Sequence, residues 1–573
     1  MNRPWRWAAG LLVGLGSCAF YTPDGGSTAG VLPDAGIAES QKFQSVASAY
    51  IDWNYAVHPG WATVDGIHDY DAQLGRWTRE AIEGQAQSLD LYQRRLLAID
   101  PRGLDDGSYY DYLVLQGQIG AARLDLLAVR AWESNPNFYR NIISQGLYTL
   151  ASLAFDTPDR RLALAAERLS QVPDVLAAAR DNLVHPPRIF TEIAIDEFSG
   201  THTFLKTGLD QAFASAKDEA VRTRFVEAQR RALGAVEKFI DWMRSELLPA
   251  STGSFALGPE LFRQKVALEE GIDLPIEELL RRGTELLRST QEELKKVAGD
   301  RPVRQLLRET SREHPKAETL ISDTQALLGD LKAWASTVVS VPPEAACKVQ
   351  ETPVFRRSLS FASMETPGPF EQVARDAYYS ITPVDPSWSS DRQEQHLSFY
   401  NRYALPLISV HEAYPGHYVQ FLGLQTCPSK VRKVFGCSSF SEGWAHYCEQ
   451  LYVERLPQPP LALRVHQLEL ALVRICRYIA GIELHTQGMT VEQAVELFVT
   501  EGYMERGGAE REARRGAADP TYLVYTLGKH EILKLRDEYF RRTGGTLVSF
   551  HNELLRTGYP PLPIARRILF SER

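Results

Sequence analysis

The sequence predicts a mostly α-helical protein, a large multi-helix fold with a few short strands. Three observations predict it. From Gln41 to about Leu248, apolar residues recur at helical spacing with charges between them, as in Ala163 to Asn182 and Ala216 to Leu247, and strand-like alternation is scarce. The helical pattern resumes over Ile276 to Val297 and Glu318 to Trp334. Between Val341 and Ser390 the texture changes to Pro, Ser and aromatic residues, with Pro342-Pro343 and Thr366-Pro367-Gly368-Pro369, which predicts loops and short strands. The chain has 573 residues, 44% hydrophobic and 24% charged, which suits a soluble globular protein with ample core. A net charge of −9 comes with no basic patch, and no apolar run reaches the length of about 18 residues that crosses a bilayer. Nucleic-acid binding and membrane spanning are therefore not expected.

Taken in order, the first residues read as an export signal. Arg3 and Arg6 precede the apolar run Ala8 to Ser17, and Leu15-Gly16-Ser17-Cys18 has the form of a bacterial lipobox, whose Cys becomes lipidated. An ordinary signal peptide with an incidental Cys is the alternative. Residues 1–18 are thus assigned to the signal, 19–39 to a flexible tether rich in Gly, Pro, Ser and Thr, and 40–573 to one helical domain. Within it a helical lobe is expected over about 40–250 and a catalytic lobe over about 251–573. The expected location is the cell envelope, with a lipid anchor as the only membrane contact. Besides Cys18 there are five Cys, an odd number, so a full disulfide framework is excluded; Cys427 and Cys437 either pair or remain buried thiols. His58 and His68 lie in clusters of polar and aromatic residues at a helix end, where capping or core roles outweigh metal ligation.

The chemistry concentrates in Ser409-Val410-His411-Glu412-Ala413-Tyr414-Pro415-Gly416-His417. In the zinc-peptidase helix H-E-x-x-H, two His four apart face one ion and the Glu acts as general base. Here the second His comes six residues after the first. On a continuous helix that spacing separates the rings by about 120° around the axis and about 9 Å along it, too far for one tetrahedral ion. Pro415 disfavours helix at Tyr414 and lacks a donor, and Gly416 adopts backbone angles closed to other residues. The expectation is His-Glu, a break, then His.

A third ligand is sought 25 residues further on. Ser438 to Gln450 reads as a helix starting near a Ser cap, on which Glu442, His446 and Glu449 share one face. Ser439-x-x-Glu442 also has capping-box spacing, so Glu442 could instead serve the helix start. A catalytic zinc takes three protein ligands and an open position, which favours Glu442 as ligand, with His446 and Glu449 orienting the others.

His411-Glu412-Ala413-Tyr414-Pro415-Gly416-His417 together with Glu442-Gly443-Trp444-Ala445 resembles the paired signatures of the bacterial domain-of-unknown-function 885 proteins, regarded as metallopeptidase-like. The resemblance extends to Pro59–Asp71, His485–Thr490 and Tyr522–Arg536 and so covers nearly the whole mature chain. It implies His411, His417 and Glu442 as zinc ligands, Glu412 as the catalytic carboxylate, and a metallopeptidase-like helical fold with a deep central cleft. His446 falls where the family pattern varies.

The expected function is a zinc-dependent hydrolase, most simply a peptidase, in which Glu412 takes a proton from a zinc-bound water that attacks the carbonyl. An oxyanion donor is sought in Tyr522 and Tyr525, Tyr525 first, with packing of that aromatic in the core as an equal alternative. His485 and Arg515 are candidates for a substrate carboxylate or for structural hydrogen bonds. An amidase acting on a non-peptide amide would use the same residues, whereas a non-catalytic metal-binding surface lipoprotein would have no need of Glu412. The substrate would be a peptide or amide; the position of cleavage and the oligomeric state are left open by the sequence.

Overall fold

The computed structural model describes residues 33–353, 357 and 361–573. The expected signal peptide, Cys18 and the tether up to residue 32 lie outside the described residues. Pro33–Val57 is already helical, so residues 33–39 belong to a helix and not to the tether. Pro at the first helical position followed by Asp34 in the first turn is a helix-start signal, which the surrounding Gly and Ser obscured.

Helices dominate, as the periodicity predicts. Pro158–Asn182 starts on a Thr157 side chain that accepts from Arg160 N, with Pro158 next, and packs along Glu219–Trp242. Their facing residues, including Leu162, Leu169, Val172, Phe225, Val236 and Phe239, share one buried core with Tyr139, Ile143 and Phe198. Ile276–Ala298 carries Glu277 and Glu278 in its first turn and Lys295 and Lys296 in its last, charges that complement the helix dipole at both ends. Its apolar face packs on the long Leu461–Thr486 helix in another core.

The Pro-rich stretch yields three strands, β1 (Cys347–Glu351), β2 (Ala362–Glu365) and β3 (Ala377–Ile381), ordered β1-β3-β2. β1 runs parallel to β3 and β2 antiparallel to it, with Met364 opposite Tyr379. Tyr379 and Ile381 bury themselves against Val410, Tyr414, Phe440 and Trp444, so the sheet rests on the helices that bear the signature residues.

Several polar contacts fasten the first third of the chain onto the rest, among them an Arg432–Asp111 pair and a His68 bridge. Arg432 Nε donates to Asp111 Oδ1 at 2.7 Å, both side chains being buried. His68 bridges Asp71 Oδ2 at 2.8 Å and Glu371 Oε2 at 3.1 Å, stacked on Phe155. His68 thus serves as a clasp between the first lobe and the segment joining β2 to β3. His58 lies against Trp77, and burial lowers its pKa to about 4. All five described Cys are free and buried; Cys437 Sγ bonds Glu270 Oε2 at 2.8 Å, so Cys427 and Cys437 do not pair. Among the described residues, no helix is long and apolar enough to cross a membrane.

Candidate metal centre

The first signature helix spans Ala404–Glu412 and stops there; the next begins at His417. Pro415 has no N–H and its ring would strike a carbonyl one turn back, so the helix cannot run on. The carbonyls left open at the helix end are taken up locally. Ala413 N and Tyr414 N both donate to Ser409 O, and Gly416 N donates to Val410 O at 2.9 Å. The loop thereby doubles back onto the helix it has left. A Cβ at residue 416 would sit 1.8 Å from His411 O and 2.4 Å from Val410 O, so only glycine allows this approach. Trp444 Nε1 donates to Pro415 O at 2.9 Å and pins the turn from the facing helix.

That facing helix is Ser438–Arg455, with Cys437 at the N-cap and no side-chain cap of its own. Ser439 is inside the helix, and the capping-box reading of Ser439 and Glu442 does not hold. The cap comes from afar: Glu270 Oε2 accepts from Ser439 N at 2.9 Å, from 169 residues away in sequence. Glu442 is thus left with its carboxylate turned to the turn of the first signature.

The broken helix brings the two imidazoles together, ring centroids 4.9 Å apart and planes at 88°. Glu442 Oε2 faces His411 Nε2 at 3.4 Å and His417 Nε2 at 3.6 Å. One ligand atom from each of the three residues lies within 4.8 Å of the others, the one such group of His, Cys, Asp and Glu among the described residues. Zinc bonds of about 2.0–2.1 Å in a tetrahedron separate neighbouring donor atoms by about 3.3 Å, close to the spacings seen here. Glu442 Oε2 is buried without a hydrogen-bond partner of good geometry. The donor set therefore fits a divalent cation. His417 and Glu442 keep 21% and 29% of their side-chain surface exposed, so the cluster is reachable from solvent.

The electrostatics concur. Burial opposes a charged His411, but the carboxylates of Glu442 and Glu449 beside its two ring nitrogens outweigh it and push its pKa up to about 9. Burial also works to raise Glu442, yet the two imidazoles hold its carboxyl well below the usual range. A site that draws a proton this strongly draws a metal ion, and the two compete.

Behind the ligands stands a buried polar network. His411 Nδ1 meets Glu449 Oε1 at 2.8 Å; a carboxylate only accepts, so Nδ1 carries the proton and Nε2 is turned to the centre. Arg474 Nη2 reaches the same Glu449 oxygen at 2.8 Å. Burial tends to raise Glu449, but Arg474 and the two imidazoles keep it ionised, well below its usual range. His446 Nδ1 approaches Glu449 Oε2 at 3.4 Å, so it touches the centre only through Glu449. Burial, and next the charge of Lys529, lowers its pKa well below the usual value.

Glu412 is half buried, and burial raises its pKa despite the neighbouring imidazoles; Met364 N–H on β2 donates to its carboxylate. On the other side, helix Val524–Thr543 crosses Ser438–Arg455 at Gly443 and Gly528, where a Cβ on Gly443 would fall 2.4 Å from Gly528 C and one on Gly528 1.8 Å from Ser439 O. This close crossing carries Tyr525, three residues before Gly528, toward Glu442, next to Gly443. Burial and then the Glu442 charge raise the pKa of Tyr525. Its hydroxyl accepts from Arg515 Nη2 at 3.1 Å, which leaves its own proton free to donate.

Two other sequence candidates are structural. His485 is 1% exposed between Phe255 and Phe262, and its Nε2 donates to Gly516 O at 2.9 Å. Tyr522 is fully buried and its hydroxyl donates to Glu512. Sequence reasoning missed Arg474, Arg477 and Glu270. The first two carried a signal: charges inside the apolar run Leu470 to Ala480 must find carboxylates once buried. Glu270 carried none.

The family model "Bacterial protein of unknown function (DUF885)" matches residues 59–569, and the chain belongs to this family. No curated protein matches it. A solved candidate lipoprotein of unknown function from Shewanella oneidensis is similar to it, with 26% identity and a TM-score of 0.77 over 92% of this chain and 99% of that one. A candidate lipoprotein from Colwellia psychrerythraea has the same fold at 17% identity, with a TM-score of 0.76 over 94% and 99%.

Proposed function

On the premise of that membership, we propose that this protein is a zinc-dependent hydrolase, most simply a peptidase. The observation that carries the proposal is the convergence of His411 Nε2, His417 Nε2 and an orphaned Glu442 oxygen at near-tetrahedral spacing, beside a Glu412 carboxylate that is not needed for the cage. His411, His417 and Glu442 would hold the ion, and Glu449 with Arg474 behind it would fix the His411 tautomer. When bound, zinc supplies Lewis acidity to water and to a carbonyl oxygen. Glu412 then works as proton carrier: the Met364 N–H beside it helps orient the carboxylate, and its raised pKa suits it to accept a proton and return it to the leaving amine. Tyr525, its hydroxyl polarised by Arg515, is the donor for negative charge developing on the carbonyl oxygen.

Metal analysis of the purified mature protein combined with a peptide-library digest tests the reading. About one zinc per chain is expected. Most of it should disappear in His417→Ala, and digestion should stop with a chelator and resume with zinc. Full digestion by metal-free protein would defeat the proposal.

We also propose export and lipid attachment, supported by Arg3, Arg6, the apolar run and Leu15-Gly16-Ser17-Cys18, and by the description of both structural neighbours as candidate lipoproteins. Cys18→Ala should abolish acyl labelling. Native protein recovered from the cytoplasm with Met1 to Ser17 intact would contradict this.

A further inference from the structure

The centre is flanked by a cation whose one bond to the Tyr525 hydroxyl leaves most of its donors open. Arg474 is spent on Glu449, and Arg477 makes two bonds to Glu512, at 2.7 and 2.9 Å, with its guanidinium 5.0 Å from the Tyr525 ring. Arg515 differs. It donates to the Tyr525 hydroxyl at 3.1 Å and lies 5.1 Å from the Tyr522 ring, and among the described residues no carboxylate pairs with it. Glu512, whose charge both arginines stabilise, is bonded twice by Arg477 and once by Tyr522, so Arg515 is left without an ion-pair partner of its own among the described residues. Arg515 sits in the last turn of helix Arg506–Ala518 and is exposed, so an incoming group can reach it. Of its five N–H donors, the Tyr525 hydroxyl takes one. The Tyr522 ring and the Tyr525 hydroxyl hold that guanidinium on the Tyr525 side of the centre.

We propose that Arg515 anchors the terminal carboxylate of a peptide substrate, which makes the protein a carboxypeptidase. The inference rests on the hydrolase reading and deepens it. A carboxylate is the anion that a guanidinium fork matches. Along an extended chain each residue spans about 3.3–3.6 Å, so a cation just past the oxyanion donor reads a carboxylate one or two residues beyond the scissile bond. An aminopeptidase would need an uncommitted acid for the substrate's amine. Here Glu442 faces the two ligand imidazoles, Glu449 holds His411 and Arg474, and Glu512 holds Arg477 and Tyr522. The C–N bond one or two residues from the C-terminus breaks, water gives its hydroxyl to the carbonyl carbon and its proton to the nitrogen, and the C-terminal amino acid or dipeptide leaves with its carboxylate intact.

The test compares peptides of one sequence ending in a free acid or an amide, on zinc-loaded protein. The acid should lose residues from its C-terminus with kcat/KM about 10–100-fold above the amide's, the range for a hydrogen bond to a charged group. In Arg515→Gln the acid-to-amide ratio should fall toward one, and Arg515→Lys should restore part of it. Calorimetric binding of an N-acetyl dipeptide to Glu412→Gln protein gives a readout without turnover, and adding Arg515→Gln should weaken it about 10–100-fold. Equal cleavage of acid and amide, or release from the N-terminus, would overturn the anchor and leave the hydrolase standing. Arg515-dependent binding without any cleavage would keep the anchor and defeat the hydrolase. Neither cleavage nor Arg515-dependent binding would overturn both.

Discussion

Glu412→Gln is expected to lose about 10²–10⁴-fold in turnover while keeping its zinc and its fold, the range that a positioned general base contributes. The substitution is nearly isosteric. A Gln carbonyl still accepts the Met364 N–H, so the contact between β2 and the helix end survives, and only the capacity to take a proton is removed. Because Glu412 is not among the three donors of the cage, the metal content should be unchanged. Turnover and zinc content measured on the same preparation separate the two roles. A fall in both would make Glu412 a metal ligand, and unchanged turnover would take it out of the mechanism.

The parts of the centre legible in the sequence are those whose physics is local. Pro415 cannot continue a helix and Gly416 permits an approach no side chain allows, so the break between His411 and His417 is written in two adjacent residues. Glu442, His446 and Glu449 lie on one face by helical spacing alone; Glu442 and Glu449 meet the first signature, and His446 backs Glu449. What stayed hidden depends on pairings across the fold. Capping of the second signature helix by Glu270, the Met364 N–H delivered to Glu412 by β2, and the Gly443–Gly528 crossing that brings Tyr525 forward each join residues with no sequence relation. The short strands were anticipated only as a change in texture, because their register is set by packing of Tyr379 and Ile381 on the helices beneath. For His485 the structural hydrogen bond that the sequence left open is the one observed, and Tyr522 stayed ambiguous because a buried aromatic near a signature looks the same in sequence whether it faces a substrate or a core.

Gly416→Ala should abolish stoichiometric zinc binding although residue 416 offers no ligand atom. The added methyl would lie 1.8 Å from His411 O, a contact real Cβ atoms do not make, and the obstacle is helix backbone. Relief therefore demands that the loop swing away, breaking the Gly416 N to Val410 O bond and moving the start of the His417 helix. The two Nε2 atoms now face one Glu442 oxygen at 3.4 and 3.6 Å, and zinc bonds tolerate errors of about 0.2 Å, so a shift of an ångström separates the ligands. The expected loss in zinc affinity is at least about 100-fold, the upper end for losing a partner that merely orients a ligand. The cost in stability should be smaller, about 1–3 kcal/mol as for other overpacked sites, because the loop can move without opening the core. Competition with a zinc-binding dye reads the first, and chelated protein unfolded in denaturant reads the second. Gly234→Ala is the control: a Cβ there meets nothing within 4 Å, so zinc affinity should match the native protein, and stability should not fall but rise by up to about 1 kcal/mol, as for Ala replacing Gly inside a helix. Native zinc affinity in Gly416→Ala would mean that the chain reaches the ligand geometry without the tight return onto Val410 and His411, and the account of the broken helix would fail.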